Sequence, residues 1–273
     1  MNTTDIFPFF DDCFPDLNVF LLALVRDYQA GNIPSWDALE EKVKAYFTPE
    51  RLEEMETVVP GWKNMTLYSE GITLVHVMCV FLGMLMLPEY KSLTPRQQQL
   101  AKWVTLFHDI DKIHLRGKKD PMHAFRSGAV TGTSLGRFGF PLTEKYHRLV
   151  QAWVEQTTGA FIAEEFTTKP DNQKLPRILA GIDQLYGENT PAALITKTVL
   201  LHISLDVDPF YPTPAPLNED EIWRYINARL LPLLKVMMLS DNEGWSLFDP
   251  ETRARQRHDT LTAFEKIERM IAK

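Results

Sequence analysis

Residues 71–87 read GITLVHVMCVFLGMLML, seventeen residues with one basic side chain, His76, and no acidic one. The run is longer than an ordinary buried strand and falls short of the roughly 20 apolar residues that span a bilayer. It therefore reads as a helix buried in a protein core, with an imidazole placed where solvent does not reach. The punctuation on both sides is helical too. Thr94-Pro95-Arg96-Gln97 has the form of a capping box, in which Gln97 reaches back to the Thr94 amide, and it predicts a helix running to about His108. Asn218-Glu219-Asp220-Glu221 repeats that pattern. Thr48-Pro49, Thr190-Pro191 and Asp249-Pro250 each pair an N-cap residue with Pro at the first helical position, and Gly31 predicts the stop of a helix that begins near Asp16. Strand signals are sparse, so the fold class is all-α.

The chain has 273 residues, 45% of them apolar, enough for a sizeable core. No internal repeat, low-complexity tract or Gly/Ser linker divides it. The expectation is one helical domain over residues 1–273, a core bundle at about 60–208 and flanking helices at 1–59 and 218–273. The most loop-like stretch, Asp206 to Asn218, carries Pro209, Pro212, Pro214 and Pro216. A formal net charge of −7 argues against an extended nucleic-acid surface, which needs clustered Lys and Arg. Two cysteines, Cys13 and Cys79, are too few for a disulfide framework or a thiolate zinc site and suit a reducing compartment. Residues 1–17 hold four acids and no base, unlike a secretory signal, so the expected location is cytoplasmic with no membrane partner. Oligomer formation is left open.

The chemistry concentrates in a few residues. His76 lies in the apolar helix, His108-Asp109 ends the next one, and Asp206 follows far downstream in LLHISLDVD (200–208). Imidazole and carboxylate hold first-row divalent ions while leaving positions open for water, and such an ion promotes hydrolysis of phosphate esters. Each residue also has a structural account: His76 as a satisfied core histidine, Asp109 as a helix terminator, Asp206 as a hydrogen-bond partner of His202 one turn earlier. Asp208 is the rival to Asp206.

GITLVHVMCVFLGM (71–84), LFHDIDK (106–112) and LLHISLDVD (200–208) together resemble the H…HD…D signature of the HD-domain superfamily of metal-dependent phosphohydrolases. The resemblance covers roughly residues 68–208. It implies an HD-like helical bundle in which His76, His108, Asp109 and Asp206 ligate a divalent ion, with Mn, Fe, Co, Ni, Zn and Mg not distinguished by the residues alone. It further implies that Asp109 serves catalysis as well as ligation and that Lys112 faces the substrate phosphate, although Asp111 stands where many relatives have a small residue.

His123, in DPMHAFRSGAV (120–130), falls where two-metal members of that superfamily place a further histidine. Those members carry another at the end of the next helix, where this chain has Thr157 and Thr158 in WVEQTTG (153–159), and that departure argues against a second ion. His147 and Glu155 are weaker ligand candidates. KIHLRGKK (112–119) supplies Lys112, Arg116, Lys118 and Lys119 without an acid, and Arg126 follows. Positive charge beside a metal suits a phosphorylated substrate, so Lys112, Arg116 and Arg126 are the substrate-binding candidates. His114 and the His258-Asp259 pair read as surface residues. Trp153, Trp223 and Trp245 are able to stack on a base, but aromatic residues at helical spacing are more often core.

The resulting expectation is hydrolysis of a phosphate ester of a small phosphorylated metabolite or nucleotide by a water activated at the metal. The alternatives are a two-metal phosphodiesterase or dinucleoside polyphosphate hydrolase, which needs His123 and one unrecognised ligand, and an HD-fold module that senses or binds with little catalysis.

Overall fold

The computed structural model describes residues 6–114, 120–159, 172–207 and 216–272. Arg116, Lys118, Lys119 and Asp208 lie outside the described residues. The chain is all-α, and no strand occurs among the described residues. In order, the helices are α1 (Phe10–Cys13), α2 (Pro15–Gln29), α3 (Trp36–Tyr46), α4 (Pro49–Val58), α5 (Ile72–Met86), α6 (Pro88–Ser92), α7 (Pro95–Phe107), α8 (His123–Ser134), α9 (Tyr146–Gly159), α10 (Leu175–Tyr186), α11 (Pro191–Leu201), α12 (Glu219–Tyr225), α13 (Leu231–Ser246) and α14 (Pro250–Ile271).

The helix starts form as their caps dictate. Thr94 and Gln97 make a reciprocal capping box on α7, as do Asn218 and Glu221 on α12. Thr48, Thr190 and Asp249 each accept a first-turn amide, ahead of Pro at the first helical position. After α2 the chain turns at Gly31, whose φ of 77° favours a residue without Cβ.

Helix α5 is the axis of the molecule. Every side chain from Thr73 to Met84 is buried. The segment Ser69–Met86 is long and apolar enough to cross a membrane by composition, yet 67% of it is buried within the fold, so its apolar surface is covered by the protein's own helices. Its principal neighbour is α13, and α7, α8 and α11 complete the central bundle. The flank boundary drawn from the proline-rich stretch thus shifts: α13 lies beyond residue 208 in sequence but is central in space. The buried apolar residues form one continuous cluster from Phe7 to Ile267.

Two glycines allow the α5–α13 approach. A Cβ on Gly83 would stand 3.0 Å from Glu243 Cβ, and a Cβ on Gly244 would stand 2.6 Å from Val80 Cγ2 and 3.2 Å from His76 Cε1. Helix α14 closes over the outside of this pair. Glu243, 3% exposed, is ion-paired with Arg253, Arg257 donates to both Glu89 oxygens at 2.7 and 2.9 Å, and Lys235 pairs with Glu268 at 2.7 Å. At the other end, Phe10 and Phe14 pack edge-on against Trp103, and Trp153 fits between Gly132 and Gly181, donating its Nε1–H to Ile178 O at 3.0 Å.

Because Val80 and His76 are both buried, the crossing cannot absorb another methyl cheaply. Gly244→Ala is expected to destabilise the protein by about 1–3 kcal/mol, as overpacked cores do. Gly159→Ala, with no neighbour within 4 Å of the added Cβ, is expected to leave stability unchanged or slightly raised. Urea unfolding of the two variants beside the parent checks this, and equal stabilities would refute a tight crossing.

Candidate metal centre

Five elements deliver the polar residues of the core to one place. His76 projects from the middle of α5, His108 caps the C-terminus of α7, and Asp109 follows in the turn. His123 is the first residue of α8, His202 caps α11, and Asp241 comes from the third turn of α13. They form two groups, His76–His108–Asp241 and Asp109–His123–His202, each with its ligating atoms within 4.8 Å of one another.

Asp109 joins the groups. Its Oδ2 lies 3.5 Å from His76 Nε2 and 3.7 Å from His108 Nε2, while its Oδ1 lies 3.2 Å from His123 Nε2 and 3.8 Å from His202 Nε2. Lys112 Nζ also reaches Oδ2, at 2.6 Å. His76, His108, Asp109 and His202 have no exposed side-chain surface.

The tautomers follow from the hydrogen bonds. His108 Nδ1 contacts Thr105 O at 2.8 Å, His123 Nδ1 contacts Asp120 O at 2.5 Å, and His202 Nδ1 contacts Val199 O at 2.6 Å. A carbonyl oxygen only accepts, so each Nδ1 carries the proton and each neutral ring presents an Nε2 lone pair to the centre. The Nε2 atoms of His123 and His202 face each other at 3.2 Å, and His108 Nε2 and Asp109 Oδ1 are buried without a hydrogen-bond partner. Facing lone pairs in a dry interior repel, and a cation between them converts the conflict into bonds. Ligands bonded at about 2.1 Å to one ion stand roughly 3–4 Å apart, as these atoms do. The donor set thus fits a divalent metal ion, with the Nδ1–carbonyl contacts fixing each ring. His76 differs: its Nε2 donates to Asp241 Oδ1 at 2.8 Å, and its Nδ1 is buried without a partner. Metal binding there displaces that proton.

Electrostatics agree with the neutral-imidazole picture. Burial lowers the pKa of His76 and His123, and burial with the neighbouring His123 and His108 pushes His202 down to about 3. Burial alone raises Asp109, but the Lys112 ammonium leads the interactions that oppose it, and the carboxyl is held well below the usual carboxylate range. Asp241 is likewise pushed up by burial and brought down, on balance, by the hydrogen bond from His76 and the nearby Lys112 ammonium.

Set against the sequence expectations, the structure brings together His76, His108, Asp109, His123 and Lys112. It does not bring Asp206. Helix α11 ends at Leu201, so the helical phase linking His202 to Asp206 lapses: His202 faces inward and Asp206 is exposed. Asp241, from α13, is the aspartate grouped with His76 and His108. Its signal was an aspartate at the end of the apolar run LLPLLKVMMLS (230–240), analogous to His76 in its own run. Thr157 is buried, and its hydroxyl donates to Trp153 O at 2.7 Å within α9. His202, at the end of α11, stands instead beside His123 and Asp109, and its segment VLLHIS (199–204) parallels TLFHDI (105–110). His147, Glu155 and His258 are exposed.

Arg126 is also placed differently from the expectation of a phosphate-binding side chain. Its guanidinium is ion-paired with Asp120 and donates to Asp111 O at 3.0 Å. Asp120 in turn accepts the amides of Ile113 at 2.9 Å and Met122 at 3.2 Å. Arg126 therefore ties Asp111 to Asp120, which in turn holds Ile113 and Met122. Lys112 turns inward, held as the cation by Asp109 and Asp241 against the downward pull of burial.

No family model, curated protein or solved structure matches this chain.

The ligand assignment is open to elemental mass spectrometry on protein purified without chelator. Asp241→Ala and His108→Ala are expected to lose bound transition metal, and Asp206→Ala to retain the parental content. Loss in Asp206→Ala with retention in Asp241→Ala would restore the downstream aspartate.

Proposed function

We propose that the protein is a metal-dependent phosphohydrolase acting on a small phosphorylated metabolite or nucleotide, and that its centre takes two ions. The observation that carries this is the Asp109 carboxylate, whose two oxygens face separate groups of ligands. It supports the two-metal form of the hydrolase expected from the HD resemblance, with His202 as the ligand that the sequence reading lacked.

A divalent ion bound there lowers the pKa of a coordinated water towards neutrality and polarises a phosphoryl oxygen. The chain's own residues supply the rest. His108, His123 and His202 hold rigid neutral nitrogens at the centre. Asp109 and Asp241 add negative charge that retains cations. Lys112 carries its ammonium beside Asp109 and is placed to hold phosphoryl oxygens as negative charge gathers on them. Arg126 and Asp120 act at a distance, by tying Asp111 and Ile113, which flank Lys112, to Met122 beside His123.

The test is turnover of phosphomonoesters, phosphodiesters and dinucleoside polyphosphates after loading with Mn, Fe, Co or Zn. Asp109→Ala is expected to abolish activity, and Lys112→Ala to lower kcat by roughly 10²–10³, the cost of losing one group that stabilises transition-state charge. His202→Ala is expected to reduce the metal content by about half and to remove activity on diesters. Retained metal without turnover of any ester would replace this reading with a binding module.

A further inference from the structure

Trp245 is 43% exposed, although it lies in α13 one turn beyond Asp241 and its ring stacks on that of His76, with centroids 4.0 Å apart and planes within 18°. An indole so exposed beside a buried cluster of ligands is not filling the core. Two further rings are nearly parallel to it. Trp36, at the start of α3, lies with its centroid 5.9 Å away and planes within 4°, and His114 lies 5.9 Å away with planes within 25°. Lys112 Nζ, the ammonium assigned to the phosphoryl group, is 5.6 Å from the Trp245 ring. Three elements distant in sequence thus align their rings at the edge of the centre.

We infer that Trp245, with Trp36 and His114, is a stacking platform for the nucleobase of a nucleotide whose phosphate lies at the metal centre and Lys112. Every nucleobase offers a π-face to such a platform, whereas a sugar phosphate offers none. The platform stands one ring away from a metal ligand, so a base and a phosphate joined through one ribose reach both places. The substrate class follows: nucleotides in preference to sugar or polyol phosphates. This deepens the proposed hydrolase and rests on that reading for the position of the phosphate.

The test separates the two claims by measuring binding apart from turnover. Metal-loaded protein is titrated with each of the four nucleoside 5′-monophosphates and with ribose 5-phosphate, following tryptophan fluorescence and calorimetric heat. At least one nucleotide is expected to bind more tightly than ribose 5-phosphate and to quench fluorescence saturably. Trp245→Leu and Trp36→Leu are expected to lower the ratio of nucleotide to ribose 5-phosphate affinity roughly 10- to 100-fold, the effect of losing a base–aromatic stack. Trp245→Phe should recover most of it, and Trp223→Leu, on the exposed face of α12, should leave the ratio unchanged. Because Trp245 touches His76, metal content is measured in each variant, and Trp36 tests the platform without touching a ligand. Equal losses for both ligand types would make Trp245 only a support for His76, and no preference for any nucleotide in the parent protein would overturn the platform. Failure to hydrolyse any ester, with nucleotide preference retained, would overturn the hydrolase and leave the platform standing.

Discussion

The Asp109 carboxylate is the constraint around which the centre is built. It is fully buried, and a buried charge stripped of its partners costs about 3–5 kcal/mol. The fold answers by surrounding it with nitrogen: Lys112 from its own turn, His76 from α5, His108 from α7, His123 from α8 and His202 from α11. Helix ends, rather than helix middles, supply three of the four histidines. At an end the backbone carbonyl three residues earlier is within reach of Nδ1, so one short segment both orients the ring and sets its tautomer. The result is a set of acceptors facing one another, an arrangement with little value to a protein unless a cation joins it.

The rest of the architecture serves that convergence. The glycines at the α5–α13 crossing let Asp241 meet His76, and α14 presses the pair together through Glu243 and its arginines. Asp120 and Arg126 tie Asp111 and Ile113, which flank Lys112, to Met122 beside His123. These charges lie close to the centre and belong to its scaffold. Among the described residues of 112–126, Lys112 turns inward to Asp109 and Arg126 is held by Asp120 and the Asp111 carbonyl.

Local signals made much of the molecule legible. Caps and prolines mark helix starts through hydrogen bonds closed within four residues, so Thr48, Thr94, Thr190, Asn218 and Asp249 could be read in place. His76 and the His108-Asp109 pair stood out because ionisable groups in apolar helices are costly without partners. Asp206 misled because its assignment assumed that α11 continues beyond Leu201; one missing turn of helix rotates the aspartate to the surface and leaves His202 inside. Trp245 misled in the opposite way: helical spacing read it as core, and it is 43% exposed.

By itself, then, the sequence determined an all-helical chain, the start points of its helices and the two places where imidazoles enter an apolar interior, because these depend on side chains within one or two turns of each other. Only the tertiary structure decided that Asp241, 132 residues beyond Asp109, completes one group of residues able to hold a metal ion, and that His202 completes the other. A ligand set is defined by distances of a few ångströms between elements whose separation along the chain is arbitrary. No local propensity encodes how α13 lies on α5; the packing of Gly83 and Gly244 does.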